Sequence, residues 1–94
     1  MNASLALDPA ARRRAACARL RAFTRWLRSS RRWGVGRASA WLRERLGLTL
    51  DGWHRLTNPR RALVPVLALQ RLEQLTRDVG WPGGVLRAGE WTGG

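Results

Sequence analysis

Trp41-Leu42-Arg43-Glu44-Arg45-Leu46-Gly47-Leu48-Thr49-Leu50-Asp51-Gly52-Trp53-His54-Arg55-Leu56-Thr57-Asn58 is the stretch that decides the fold. Leu42 and Leu46 stand four residues apart, the repeat of one helix face. Gly47 follows at the place where a helix stops on a left-handed residue. Thr49 then offers an oxygen to the free N–H groups of a new helix, and Asp51 stands in its first turn against the positive end of the macrodipole. Trp53 and Leu56 give that helix an inward face. Asn58 precedes Pro59, which disfavours helical backbone at Asn58 and ends the helix there. The stretch reads as two short helices joined by a tight turn.

Working outward, the first helix of this pair is expected to begin near Ala38, after a loop marked by Ser29-Ser30 and Gly34-Val35-Gly36. Before it, Asp8-Pro9 is a helix-start signal, a capping carboxylate followed by a proline suited to the first helical position. Ala16, Leu20, Phe23 and Leu27 recur at steps of four, three and four and define one face of a helix from about Pro9 to Ser29. Arg21, Arg25, Arg28 and Arg32 follow the same steps on the neighbouring face. After the pair, Pro65 stands at the first turn of a further helix with a stripe of Leu69, Leu72, Leu75 and Val79, closed by Gly80. Trp81-Pro82-Gly83-Gly84 breaks the pattern. The expected organisation is one all-α domain over residues 1–80, a small bundle of four to five helices. Residues 81–94 are expected as a loosely ordered, Gly-rich tail with one short anchored piece around Val85, Leu86 or Trp91.

Composition bounds the function. The chain has 94 residues, 18 basic and 6 acidic, for a net charge of +12, and every basic residue is Arg. A GC-rich coding habit accounts for Arg over Lys; it does not account for the threefold excess of basic over acidic residues. A chain this short hides roughly 60–70% of its unfolded surface, enough for one modest core and not for a deep pocket. One Cys and one His leave no disulfide framework and no metal or triad constellation. Cys17, among alanines, reads as a small packed helix residue. No apolar run approaches the roughly 18–20 residues of a membrane span. Neither catalysis nor a cofactor or metal is expected. The excess of cations favours a polyanionic partner, nucleic acid ahead of an anionic membrane.

Leu42, Leu46, Gly47, Leu48, Trp53 and Leu56 together resemble the helix-turn-helix of the phage Cro and repressor-like DNA-binding family. The resemblance spans roughly Leu20 to Gly80, with one helix before the motif, a short basic loop after it and then a Leu-rich helix started by proline. Two positions depart from the family pattern. Arg43 stands where the family favours a small residue, and Trp53 where it favours a medium aliphatic. Both enlarge the same contact, which raises the expectation of a cation–π pair between them.

The resemblance implies that the second helix of the pair enters the DNA major groove. The base-contacting positions it implies are Thr49, Leu50, Asp51, His54, Arg55 and, at the end, Asn58. Arg55 is the foremost of these, since its planar fork matches guanine O6 and N7. Leu50 suits a thymine methyl. Asp51 suits cytosine N4 or a helix cap, and at three residues from His54 it can also bond that imidazole. Arg37, Arg60 and Arg61 are assigned to phosphates, which position without specifying.

The function expected from these readings is sequence-specific double-stranded DNA binding by a repressor-type regulator of bacterial, phage or plasmid origin. Such a regulator would act in the cytoplasm as a homodimer. The alternative is an inhibitor or adaptor whose Arg-rich face takes an acidic protein or a ribonucleoprotein. Non-specific binding of RNA or single strands through Arg and Trp is a third reading, weakened because the Trp residues fall mostly on expected core faces. Trp26 and Trp33, one heptad apart, are the exceptions that could face a partner. The acid-poor, Arg-rich residues 1–30 also have the composition of a mitochondrial presequence or a membrane-surface helix. Asp8 and the core role of Leu20, Phe23 and Leu27 speak against both.

Overall fold

Asp8 Oδ1 accepts the backbone N–H of Ala11 at 2.8 Å, and Pro9 opens the first helix, as the Asp8-Pro9 pair predicts. The computed structural model describes residues 8–58, 60 and 65–92. Within them α1 spans Pro9–Arg31, α2 Val35–Leu46, α3 Leu50–Thr57, α4 Val66–Asp78 and α5 Gly89–Thr92. The chain is a small all-α bundle, and the described residues contain no strand.

Two boundaries differ from expectation. α1 passes through Ser29-Ser30 and stops only at Arg32. Ser30 Oγ donates to the Leu27 carbonyl at 3.3 Å, so the serine satisfies itself inside the helix instead of breaking it. α2 starts at Val35, three residues before Ala38, with Gly34 as its cap. Val35 and Gly36 thus belong to the first turn and not to a loop. No side chain bonds the free N–H groups there, which is why no capping signal marked the start.

Three helices end in one motif. Arg32, Gly47 and Gly80 take the left-handed conformation with φ of 56°, 67° and 66°. The residue after each, Trp33, Leu48 and Trp81, donates its N–H back to the carbonyl of Arg28, Arg43 and Thr76 at 3.0, 2.9 and 3.2 Å. These six-to-one bonds satisfy carbonyls that the helix end would leave free, and an apolar residue follows each turn. Gly supplies the positive φ at two of the three corners without steric cost.

The core is built from Ala16, Leu20, Phe23 and Leu27 of α1, Leu42 and Leu46 of α2, Trp53 and Leu56 of α3, Leu69 and Leu72 of α4, and Leu86 and Trp91. α1 to α4 contribute the stripes that their sequence periods predict, although Leu75 and Val79 are only half-buried. Cys17 is buried, and its thiol donates to the Leu56 carbonyl at 3.4 Å, tying α1 to the last turn of α3.

Residues 81–92 are tied down more extensively than a loose tail. Leu86 and Trp91 sit in the core. Trp81 packs on Phe23 with ring centroids 5.3 Å apart. Arg19 of α1 reaches across to the Glu90 carboxylate and donates to the Val85 carbonyl at 2.9 Å. From α4, Thr76 Oγ1 accepts the Leu86 N–H at 3.2 Å and Glu73 Oε1 accepts the Ala88 N–H at 3.0 Å. The glycines let the chain turn, and α1 and α4 supply the anchors. The leading residues 1–7 and the final Gly93-Gly94 lie outside the described residues.

Candidate nucleic-acid interface

The turn at Gly47 sets the geometry of α3 relative to α2. Gly47 N–H bonds the Glu44 carbonyl at 3.2 Å, and Leu48 N–H closes the outer ring on Arg43. Thr49 Oγ1 then accepts the Gly52 N–H at 3.0 Å and starts α3. With Trp53 only 7% exposed and Leu56 fully buried, the opposite side of α3 faces outward. Thr49, Leu50, Asp51, His54 and Arg55 are all exposed, Leu50 by 54%. Leu50 thus stands as an open apolar side chain at the start of α3, beside polar and charged neighbours.

Five of the six residues expected to meet bases are thus exposed, Leu50, Asp51, His54 and Arg55 on α3 itself and Thr49 at its cap. The sixth, Asn58, is half-buried. Its side-chain oxygen accepts the Arg60 N–H at 2.9 Å and shapes the chain leaving α3. Arg60 is exposed there, while Arg61 lies outside the described residues. Arg37 is exposed in the first turn of α2.

Two expected side-chain pairs do not form. Asp51 Oδ2 takes Arg55 Nε at 3.0 Å, not His54. Residues three and four apart are both neighbours on a helix, and here the carboxylate takes the guanidinium. Arg43 does not lie over Trp53. The indole is turned into the core, and Arg43 Nε is buried without a hydrogen-bond partner.

The Arg stripe of α1 borders a groove of 290 Å³ lined by Arg21, Thr24, Arg25 and Arg28 of α1, Val35 of α2, and Trp53 and Thr57 of α3. The stripe therefore runs beside α3 and not on a remote face. Trp26 and Trp33, which could have faced a partner, are both half-buried and make ring contacts within the fold.

A second cationic feature was not anticipated. Trp33 and Trp41 lie 5.5 Å apart with planes tilted by 56°. Arg31 sits 5.3 Å from both rings, Arg37 5.0 Å from Trp33 and Arg45 5.1 Å from Trp41. The spacing of Arg37, Trp41 and Arg45, four and four along α2, was the available signal. The share of Arg31 and Trp33 across the α1–α2 corner was not readable, because α1 is longer than its serines suggested.

Among the described residues, two groups have displaced proton affinities. Burial pushes the Cys17 thiol above its ordinary value, against an opposing pull from Arg21. The Ala88 N–H, aided by Arg77, holds the Glu73 carboxyl below its ordinary range. Neither lies on the exposed face of α3. No three His, Cys, Asp or Glu side chains gather in a metal-binding group among the described residues, and none of the described helices is long and apolar enough to cross a membrane. Compared with protein-family models, curated proteins and solved structures, the chain matches none.

Proposed function

We propose that the chain is a sequence-specific double-stranded DNA-binding protein of the Cro and repressor-like kind, a small transcriptional regulator that reads the major groove with α3. One observation carries this reading. α3 is fixed by the Gly47 turn with Trp53 and Leu56 inward, and it presents Leu50, Asp51, His54 and Arg55 outward together.

An α-helix with such a face fits the major groove, where a bidentate Arg discriminates guanine and an apolar side chain meets the thymine methyl. Arg60, just past α3, and Arg37, at the start of α2, are exposed cations suited to the flanking phosphates. The six acids are too few to neutralise 18 arginines. Several are also engaged within the fold, Asp8 as a cap and Asp51, Glu73 and Glu90 in ion pairs. A homodimer is part of the proposal, because one module of this size reads few base pairs.

Selection of bound sequences from random duplex DNA tests the reading. The expected result is a palindromic consensus with half-sites about 34 Å apart, one helical turn. Absence of enrichment overturns it and favours an acidic protein partner.

A further inference from the structure

We propose that the alternating stack Arg37–Trp33–Arg31–Trp41–Arg45 is a second nucleic-acid docking surface, one that grips the phosphate backbone without reading bases. It deepens the DNA-binding reading and can be tested apart from it.

The first argument is how the cations are held. Each indole carries two guanidiniums within 5.0–5.3 Å of its centroid. A guanidinium stacked on a ring satisfies its π face and keeps its in-plane N–H donors at the edge, where a phosphate can take two of them. Contact with the rings restricts these side chains, which lowers the entropy lost on binding.

The second argument is that these cations are not spent. The ion pairs among the described residues use Arg19, Arg55 and Arg77, and none uses Arg31, Arg37 or Arg45. Glu44 lies within the same helix and pairs with none of them. All three arginines are exposed, while both indoles are half-buried.

The third argument is spacing. Arg37 and Arg45 are eight residues apart on α2, about 12 Å of helix rise. A duplex repeats its phosphates along both strands whatever its sequence, so a row of cations of this length can find backbone charges on any duplex. A protein partner would need carboxylates at one matching spacing. Arg37 shares the first turn of α2 with Val35, which lines the groove beside Trp53 and Thr57 of α3. Each ring already carries two guanidiniums, so neither is an open platform for stacking a base.

The experiment is a salt titration of binding by the full chain. The probes are the selected duplex and a random-sequence duplex of about 30 base pairs, roughly three helical turns. Arg31→Gln with Arg45→Gln is expected to reduce the slope of log affinity against log salt by about 1.8 on both, at about 0.9 per phosphate contact. Arg31→Lys with Arg45→Lys keeps the charge and loses the planar fork. It is expected to keep the slope while weakening both duplexes several-fold. Circular dichroism of each variant verifies the helix content, and none of these substitutions touches a buried residue.

An unchanged slope in the Gln variant overturns the docking surface. If the selected duplex is still preferred in that case, the regulator reading survives alone. A reduced slope with no preferred sequence keeps the docking surface and removes the regulator. No duplex binding even at low salt overturns both.

Discussion

Asp51 holds Arg55 one turn away on α3, with Oδ2 3.0 Å from Nε. The contact runs through Nε. Both side chains are at least half exposed, and a pair of this kind contributes only about 0.2–0.5 kcal/mol to the fold. Its value is orientational. Arg55→Ala is expected to leave stability within about 0.5 kcal/mol. It should weaken the selected duplex by about 1–3 kcal/mol, and random DNA far less. Asp51→Asn is expected to tighten random DNA by removing an anion near phosphates, so discrimination falls. Equal losses on both duplexes for Arg55→Ala would remove that residue from base reading.

Gly47 sits at φ 67°, and a Cβ there would also meet the Arg71 guanidinium. The side chain of Arg71 can swing aside, whereas the backbone cannot. Gly47→Ala is therefore expected to cost about 1–2 kcal/mol from the left-handed conformation. A melting curve reads this as a loss of about 4–8 °C per kcal/mol for a domain this small. An unchanged melting temperature would mean that the turn relaxes, and the orientation of α3 with it.

Glu73 couples the C-terminal segment to pH. Its carboxylate accepts the Ala88 N–H at 3.0 Å and lies 3.2 Å from Arg77. Because its folded proton affinity is depressed, its contribution is fully present above the ordinary value of 4.5 and is lost as pH falls through the lower folded value. Glu73→Gln is expected to be less stable than the parent at neutral pH and to approach it in acid. Chemical denaturation at a series of pH values measures the gap. A gap independent of pH would show that Glu73 acts by its shape alone.

Cys17 is buried, and burial raises its thiol. Both reduce the thiolate that reagents need. A small alkylating reagent at neutral pH is expected to label the native chain only at the rate of unfolding, and the denatured chain at once. Fast native labelling would mean that α1 opens locally from α3.

The parts legible in the sequence share a property: their signal is local. Asp8-Pro9, Gly47, Thr49 and Asn58-Pro59 each act within four residues, and the stripes Leu20–Leu27 and Leu42–Leu46 follow one helix period. The open face of α3 was legible for the same reason, since burying Trp53 and Leu56 leaves the other positions outside. What escaped depends on residues far apart in the chain. Arg19 meets Glu90, and Thr76 meets Leu86. No period in a Gly-rich segment announces such partners, so residues 81–92 looked looser than they are. Glu73 with Ala88 is the same case. The Arg–Trp stack was half legible: its α2 members keep helical spacing, but Arg31 and Trp33 join only because α1 runs two residues past Ser29.

Of the three left-handed helix ends, two have glycine and the third has Arg32. That corner sits between Arg31 and Trp33, inside the cationic stack. There, backbone comfort and surface charge ask for different residues. Arg32→Gly should relax the corner by about 1 kcal/mol. It also removes a cation that lies over neither Trp33 nor Trp41. One substitution can therefore separate two quantities that the arginine-only composition entangles: how firmly the domain folds, and how strongly its surface attracts a polyanion. A more stable variant with undiminished DNA affinity would identify Arg32 as a residue present for neither purpose.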